Sequence, residues 1–213
     1  MVLPKDGQPE SIETRIVGIQ GGLGSFNHQA ADERLPSVGV PRYELRYFDS
    51  TAALFRSLRA GEIDFGQFAI FNSSAGFYAE SLEAVSQNVF EVVANYRIPI
   101  VHCLIHHADS QPQELRTIIT HKEVLKQCRS KLTLHYPLLN IEVGDGEFKE
   151  PASVAAAVAA GKLGRDVATV SCGRLAKEFG LVIGECGLQD SDNNESTFLL
   201  VRWFELTVKP WDR

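Results

Sequence analysis

Short apolar runs alternate along this chain with segments whose apolar residues recur at helical spacing. The runs at residues 16–19, 65–70 and 167–170 are typical of buried strands. Ser50 is predicted to cap the helix after a strand at residues 43–48, and Gly61 to end it. This alternation favours an α/β fold with mainly parallel sheets, in which ligands bind beyond the carboxyl ends of the strands.

The same patterns predict the other elements and the overall organisation. Further strands are expected at residues 98–105, 117–119, 131–135 and 198–204, and helices at residues 28–34, 82–85, 122–129, 153–161 and 172–179. A chain of 213 residues with 44% hydrophobic residues is large enough to bury a substantial core. Because two successive sets of α/β units follow one another, we expect two lobes with a cleft between them.

Charge and hydropathy limit the class of partner. The net charge is −6, and lysine and arginine are scattered, which argues against nucleic acid and anionic membranes as partners. The sequence has no run near the roughly 18 apolar residues needed to span a bilayer. The four cysteines are far apart and form no CxxC pair: Cys103, Cys128, Cys172 and Cys186. This spacing predicts reduced, buried thiols in a cytoplasmic protein.

Four polar segments lie where a predicted strand gives way to a helix or loop. They occupy residues 21–28, 71–76, 120–128 and 192–198. A glycine turn alone indicates only chain reversal, but four such segments in this order predict a binding site for a small molecule. A dinucleotide is disfavoured, because Asn27 stands where that fingerprint needs glycine.

Other chemistries are disfavoured by spacing. The cluster around His102 and His106 lies on a predicted strand, where alternate side chains point to opposite faces, so its members cannot all converge on a metal. Cys128 falls on an apolar helix face, which favours core packing over a nucleophilic pair with His121. We therefore predict neither a metal nor a cofactor.

Taken together, the segments resemble the catalytic domain of the prephenate dehydratase family over residues 16–201. The matching motifs, in sequence order, are Gly24-Ser25-Phe26-Asn27, Ala69-Ile70-Phe71-Asn72-Ser73 followed by Gly76, Thr120-His121-Lys122 with Gln127-Cys128, Ala152-Ser153-Val154, and Asn194-Glu195-Ser196-Thr197-Phe198. The order of these motifs makes the resemblance specific.

The resemblance implies a two-lobed fold like that of type II periplasmic binding proteins. The first lobe is expected to comprise residues 13–98 and 188–213, and the second lobe residues 99–187. It also implies prephenate as the small-molecule substrate and suggests a homodimer. Few residues follow the last motif, so we expect no regulatory ACT domain and no feedback control by phenylalanine through such a domain.

Three positions depart from the family pattern. Phe71 stands at the motif glutamate, Thr197 at the motif arginine, and Ser196 at the motif threonine. The resemblance nevertheless implies catalytic roles for Asn72, Gln127 and Ser196. The expected substrate-binding residues are Gly24, Ser25, Phe26, Phe71, Ser73, His121, Ser153, Thr197 and Phe198.

The departures favour decarboxylation of prephenate without aromatisation. Two charged groups of the family pattern have become neutral, so less acid help is available to expel the ring hydroxyl. Phe71 is expected to offer an apolar surface that promotes loss of the ring carboxylate. Such decarboxylases occur in natural-product and antibiotic biosynthesis. The alternatives are a prephenate dehydratase of aromatic amino acid biosynthesis and a catalytically silent relative that binds a metabolite.

Overall fold

Two β-sheets form the framework of the protein in a computed structural model that describes residues 13–204. The first sheet has the order β2-β1-β3-β11-β5, with β4 paired to β3. Its strands are β1 (Arg15–Gln20), β2 (Tyr43–Phe48), β3 (Phe65–Asn72), β4 (Gly76–Phe77), β5 (Phe90–Pro99) and β11 (Glu195–Trp203).

The second sheet has the order β10-β6-β9-β7-β8. Its strands are β6 (His102–His106), β7 (Thr117–Thr120), β8 (Asn140–Val143), β9 (Val167–Cys172) and β10 (Val182–Cys186). The helices are α1 (Phe26–Arg34), α2 (Thr51–Arg59), α3 (Ala79–Ser86), α4 (Lys122–His135), α5 (Pro151–Ala159) and α6 (Arg174–Phe179).

The chain passes between the two sheets twice. It leaves the first sheet after β5, enters the second at β6, and returns as β11 between β3 and β5. The predicted α/β fold with two lobes is therefore confirmed. The exact lobe bounds stay a prediction, and residues 205–213 of the expected first lobe lie outside the described residues.

Each lobe packs helices on its sheet. In the first lobe, Ala30 of α1 and Leu54 of α2 belong to separate apolar clusters. Val17 and Ile19 belong to the α1 cluster, whereas Ile16 packs with the α2 cluster, because successive side chains of a strand point to opposite faces. The predicted cap at Ser50 is present, since its hydroxyl accepts from Ala53 N at 3.1 Å.

Several predicted elements are wrong. Both sheets are mixed rather than mainly parallel, because β11 runs antiparallel to β3 and β5, and β6 runs antiparallel to β9 and β10. The strand expected at residues 98–105 is two strands that belong to different sheets. Residues 131–135 continue α4: Leu132 is fully buried beside Cys128 at helical spacing, whereas Leu134 is 76% exposed.

The cysteine prediction also needs correction. Cys103 and Cys186 form a disulfide between β6 and β10, where antiparallel pairing sets the two residues opposite each other. Cys128 and Cys172 are free and buried, and burial raises the pKa of Cys128 to about 12. Within residues 13–204, none of the helices combines the length and apolar character needed to cross a bilayer. The cytoplasmic location stays a prediction.

Candidate active site

A cavity of about 260 Å³ lies between the two sheets. In the described part of the chain, four helices direct their N-termini to it: α1, α3, α4 and α5, through residues 25–27, 78–80, 121–124 and 149–151. Unpaired backbone N–H groups and the helix dipole make such ends favourable for anions. The cavity is therefore suited to a small molecule with more than one negative group.

The glycine turn between β1 and α1 brings the lobes close together. Gly24 has a φ of +75°, and a Cβ atom at this position would lie 2.8 Å from the side chain of Leu175 in α6. Its N–H donates to His28 Nδ1 at 3.0 Å, while the hydroxyl of Ser25 caps α1 by accepting from His28 N. Gly24 thus positions Ser25 and Phe26 at the cavity without lining it.

Five buried side chains form what we call the polar network: Asn72, His102, Gln127, Asn194 and Ser196. Asn72 Nδ2 donates to Asn194 Oδ1 at 2.7 Å and to Ser196 Oγ at 3.0 Å. Asn194 Nδ2 donates in turn to Gln127 Oε1 at 2.8 Å. The network joins β3 and β11 of the first lobe to α4 of the second.

His102 completes the network as a neutral imidazole. Its Nε2 lies 3.1 Å from Gln127 Oε1, and Gln127 Nε2 donates to the carbonyl of Glu123 at 3.0 Å. Because an amide oxygen can only accept, His102 Nε2 carries the proton. Burial lowers the pKa of His102 to about 4, although the hydrogen bond with Gln127 opposes this shift.

Tyr78 places a phenol beside the polar network. It is the N-cap residue of α3, and its backbone N–H is held by the carbonyl of Ile70 at 3.1 Å. Its side chain lines the cavity and interacts with Ser196 and Gln127. Burial raises the pKa of Tyr78, while these two hydrogen-bonding partners lower it in part. The phenol is therefore protonated at neutral pH.

Charged side chains line the part of the cavity formed by α4 and α5. They are Lys122, Glu123, Lys149 and Glu150. His121 caps α4, because its Nδ1 accepts from Glu123 N at 3.2 Å, and its Nε2 lies 4.0 Å from Glu150 Oε1. Burial lowers the pKa of His121, and the two lysines act in the same direction, although the two carboxylates oppose the shift.

Half of the predicted site residues line the cavity. These are Ser25, Phe26, His121, Gln127, Ser196 and Phe198. Asn72 is completely buried and does not line the cavity, but its side chain donates a hydrogen bond to Ser196. The three predicted catalytic residues are thus joined in one network, although they lie on three separate elements.

Phe71 and Thr197 are not among the cavity-lining residues. They are partners across β3 and β11, in the register position next to the pair Asn72 and Ser196, and so point to the opposite face of the sheet. Phe71 packs on Phe77 with ring centroids 5.0 Å apart. The expected apolar surface is formed instead by other residues, among them Phe26, Ile100 and Phe198.

Ser73 and Ser153 also lie away from the cavity lining. The hydroxyl of Ser73 donates to the carbonyl of Asn193 at 2.8 Å and accepts from Glu195 N at 2.9 Å, which ties the loop after β3 to the start of β11. Ser153 is exposed, because α5 begins two residues earlier, at Pro151.

Sequence reasoning missed several residues that the fold brings to the site. Asn194 lies in a polar segment already singled out, and its neighbour Ser196 was the available signal. Tyr78 and His102 had no such signal, because a tyrosine before a helix and a histidine on an apolar strand are usual in a core. Among the described residues, no group of three His, Cys, Asp or Glu side chains could hold a metal ion.

The fold and the cavity define an α/β protein of two lobes, with a cavity between them that four helix N-termini make favourable for anions. The chain belongs to the prephenate dehydratase family, whose profile matches residues 17–203. Arogenate dehydratase 3 of Arabidopsis thaliana, a chloroplastic protein, is 26% identical over 186 residues, which cover 87% of this chain and 41% of the relative. The chain thus spans less than half the length of this relative.

Solved structures share the fold at low identity. Prephenate dehydratase from Arthrobacter aurescens in complex with L-Phe has a TM-score of 0.75 and 21% identity, over 89% of this chain and 61% of that one. GqqA, described as a novel type of quorum quenching acylase, has a TM-score of 0.73 and 21% identity, over 92% of this chain and 67% of that one. At this identity the two structures support the fold alone.

Proposed function

We propose that this protein is a lyase that removes carbon dioxide from prephenate and retains the ring hydroxyl. The product would be a dihydro-4-hydroxyphenylpyruvate. One observation carries this proposal: the side chains around Ser196 are hydrogen-bonded neutral groups, and they stand beside an apolar wall. Family membership supports prephenate as the substrate.

The cavity suits a molecule with two carboxylates. The N-termini of α4 and α5 meet there, and Lys122 and Lys149 offer two cationic groups, which stand beside the carboxylates of Glu123 and Glu150. The N-termini of α1 and α3 offer backbone donors on the other side. One carboxylate can thus be held at each side, with the ring between them against Phe26 and Phe198.

Decarboxylation needs little help from an acid at its first step. The bond between the ring and its carboxylate breaks, and the electron pair moves into the ring while carbon dioxide leaves. An apolar wall favours this step, because the charge localised on the carboxylate is costly to desolvate and disperses in the transition state. A ring alkene carbon then accepts one proton, which balances the reaction.

Loss of the hydroxyl is favoured most by a cationic acid beside the leaving group, and the polar network around Ser196 contains no such acid at neutral pH. A hydroxyl leaves well only when a donor protonates it or stabilises its charge. His102 has a pKa of about 4 and donates through Nε2 to Gln127, so it is not a cationic acid at neutral pH. The hydroxyl of Ser196 is a weak acid. The neutral network therefore favours retention of the ring hydroxyl.

Dehydration to phenylpyruvate is the second candidate. It is favoured by Ser196, which keeps a hydroxyl at the position of the family threonine and is held by Asn72 at 3.0 Å. In that reaction the electron pair released with carbon dioxide completes the aromatic ring, and the hydroxyl leaves as water after taking up one proton.

Product analysis tests the proposal. The purified protein is incubated with prephenate and, separately, with arogenate; ultraviolet spectra before and after acid, with mass spectrometry, identify the products. A non-aromatic keto acid that retains the hydroxyl is the expected result. Phenylpyruvate as the main product would overturn the decarboxylase in favour of the dehydratase. Unchanged prephenate, together with binding detected by calorimetry, would show a metabolite-binding relative.

Ser196→Ala is the informative variant for this assay. It removes the hydroxyl at the centre of the site, and turnover of prephenate should fall with it. Ser86→Ala is the matched control, because Ser86 is exposed and donates only to the carbonyl of Glu83 in α3. Product formed equally by both variants would show that the hydroxyl of Ser196 has no part in turnover.

A further inference from the structure

We propose that Tyr78 is the catalytic acid of this site and donates the proton that the reaction consumes. This inference rests on the proposed lyase function. Both candidate reactions take up one proton for each molecule of prephenate: decarboxylation delivers it to a ring carbon, and dehydration to the departing hydroxyl. The choice of proton donor can therefore be tested whichever product forms.

The position of Tyr78 is fixed from two directions. Its backbone N–H donates to the carbonyl of Ile70 near the end of β3, and Tyr78 is the N-cap residue of α3. Its ring packs against the apolar cluster that contains Phe198. The backbone and the ring are thus both anchored, and the side chain lines the cavity, where it interacts with Ser196 and Gln127.

The other groups beside the polar network are poorer donors. Ser196 accepts a hydrogen bond from Asn72, and a serine hydroxyl is far less acidic than a phenol. His102 Nε2 is engaged with Gln127 Oε1, and its Nδ1 carries no proton. Gln127 is an amide. Tyr78 is the strongest acid among these four side chains, and it lines the cavity directly.

The site is also built to receive the phenolate left after donation. Burial raises the pKa of Tyr78, so the phenol begins protonated. The carboxylate of Glu123 acts in the same direction as burial, whereas Ser196 and Gln127 lower the pKa, because their donors stabilise the phenolate. Gln127 Nε2 has two hydrogens and gives one to the carbonyl of Glu123, which leaves the second available. The charge formed on Tyr78 thus has two partners.

Tyr78→Phe tests the proposal, because it removes the hydroxyl and keeps the ring. We expect kcat for prephenate to fall about 100-fold or more, the usual scale of general acid catalysis, with KM within about threefold of the wild type. Tyr136→Phe is the matched control: Tyr136 also has a bonded phenol, which donates to Glu185 at 2.7 Å, and it is not part of the cavity lining.

A second measurement separates catalysis from packing. In D₂O, a decarboxylase with a fixed donor places deuterium on one face of one ring carbon, and Tyr78→Phe should give deuterium on both faces. The 3-fluorotyrosine variant at residue 78 keeps the hydroxyl and should retain the single face. Fluorotyrosine tests the hydroxyl even where the phenylalanine variant is unstable.

The outcomes distinguish the two proposals. A kcat within about threefold of the wild type in Tyr78→Phe, with deuterium still on one face, would overturn the role of Tyr78 and leave the decarboxylase intact. Phenylpyruvate from the wild type would overturn the decarboxylase. In that case the role of Tyr78 would be judged by kcat alone: a fall of about 100-fold in Tyr78→Phe would support it, and a kcat within about threefold of the wild type would overturn it. No turnover by the wild type would overturn both.

Discussion

Asn72 donates a hydrogen bond of 3.0 Å to the hydroxyl of Ser196, although 124 positions separate the two residues in the chain. They are directly opposite each other in the antiparallel pairing of β3 with β11. Both side chains are almost fully buried, at 0% and 2% exposure. The pairing therefore assembles the centre of the site from two segments that are far apart in the chain.

Asn72→Asp should destabilise the protein and abolish turnover. The aspartate keeps the oxygen that accepts from Ser74 N and Ala75 N, but it replaces the group that donates to Asn194 and Ser196. Loss of buried donors costs about 1–3 kcal/mol, and more where a charge is buried. Urea unfolding measures the loss. Ser37→Ala, at an exposed position, is the control and should stay within about 0.5 kcal/mol of the wild type.

Ser196→Thr should preserve catalysis, whereas Ser196→Ala should not. Threonine keeps the hydroxyl that Asn72 holds, and the family resemblance implies threonine at this position. We expect kcat/KM to fall about 100-fold for alanine and less than about tenfold for threonine. Steady-state kinetics with prephenate measure both values. Equal activity of the alanine variant would mean that the hydroxyl has no part in turnover.

Stability should depend on pH through His102. Burial lowers the folded-state pKa to about 4 from an unfolded value of 6.5, so between these pH values the unfolded state binds more protons. Stability is therefore highest above pH 6.5 and is lost as the pH falls toward 4, by about 3 kcal/mol in all. His102→Asn should show a shallower decline in unfolding free energy. Identical slopes for variant and wild type would contradict this assignment.

Reduction of the disulfide should lower stability without removing the cavity. Cys103 and Cys186 close a loop across 83 positions, and a cross-link of this kind contributes about 2–4 kcal/mol. Denaturant unfolding with and without a reductant measures the difference. The double variant Cys103→Ser with Cys186→Ser is the control, since its unfolding should not respond to reductant. A wild type that is equally insensitive would show that the bond does not form in solution.

Much of the fold followed from local patterns. The strands β1, β3 and β9 were indicated by apolar runs, β2 by the alternation of its residues, and the cap at Ser50 by residue type. The pairing of the strands could not be predicted from these patterns, because the residues of one strand do not specify which other strand pairs with it. The end of α4 was missed for a related reason: Leu132 and Leu134 alternate like a strand, and only packing against Cys128 shows that helical spacing prevails.

Part of the site was also predictable from local sequence features. The polar segment after a buried strand indicated Asn72, while the motif order indicated Gln127 and Ser196. Nothing local distinguishes Tyr78 from a core tyrosine, because its place beside the polar network depends on Ser196, which lies 118 positions away in the chain. Phe71 and Thr197 adjoin the right residues but point to the other face of the sheet, because strand side chains alternate.

The sequence by itself determined the α/β class, the polar segments at the strand ends and the family to which the chain is similar, because periodicity, residue type and motif order are local properties. The tertiary structure alone decided that β11 returns between β3 and β5, that Cys103 meets Cys186, and which face of each strand lines the cavity. These outcomes depend on pairing register between distant segments, and register is set by the whole core rather than by any one stretch of residues.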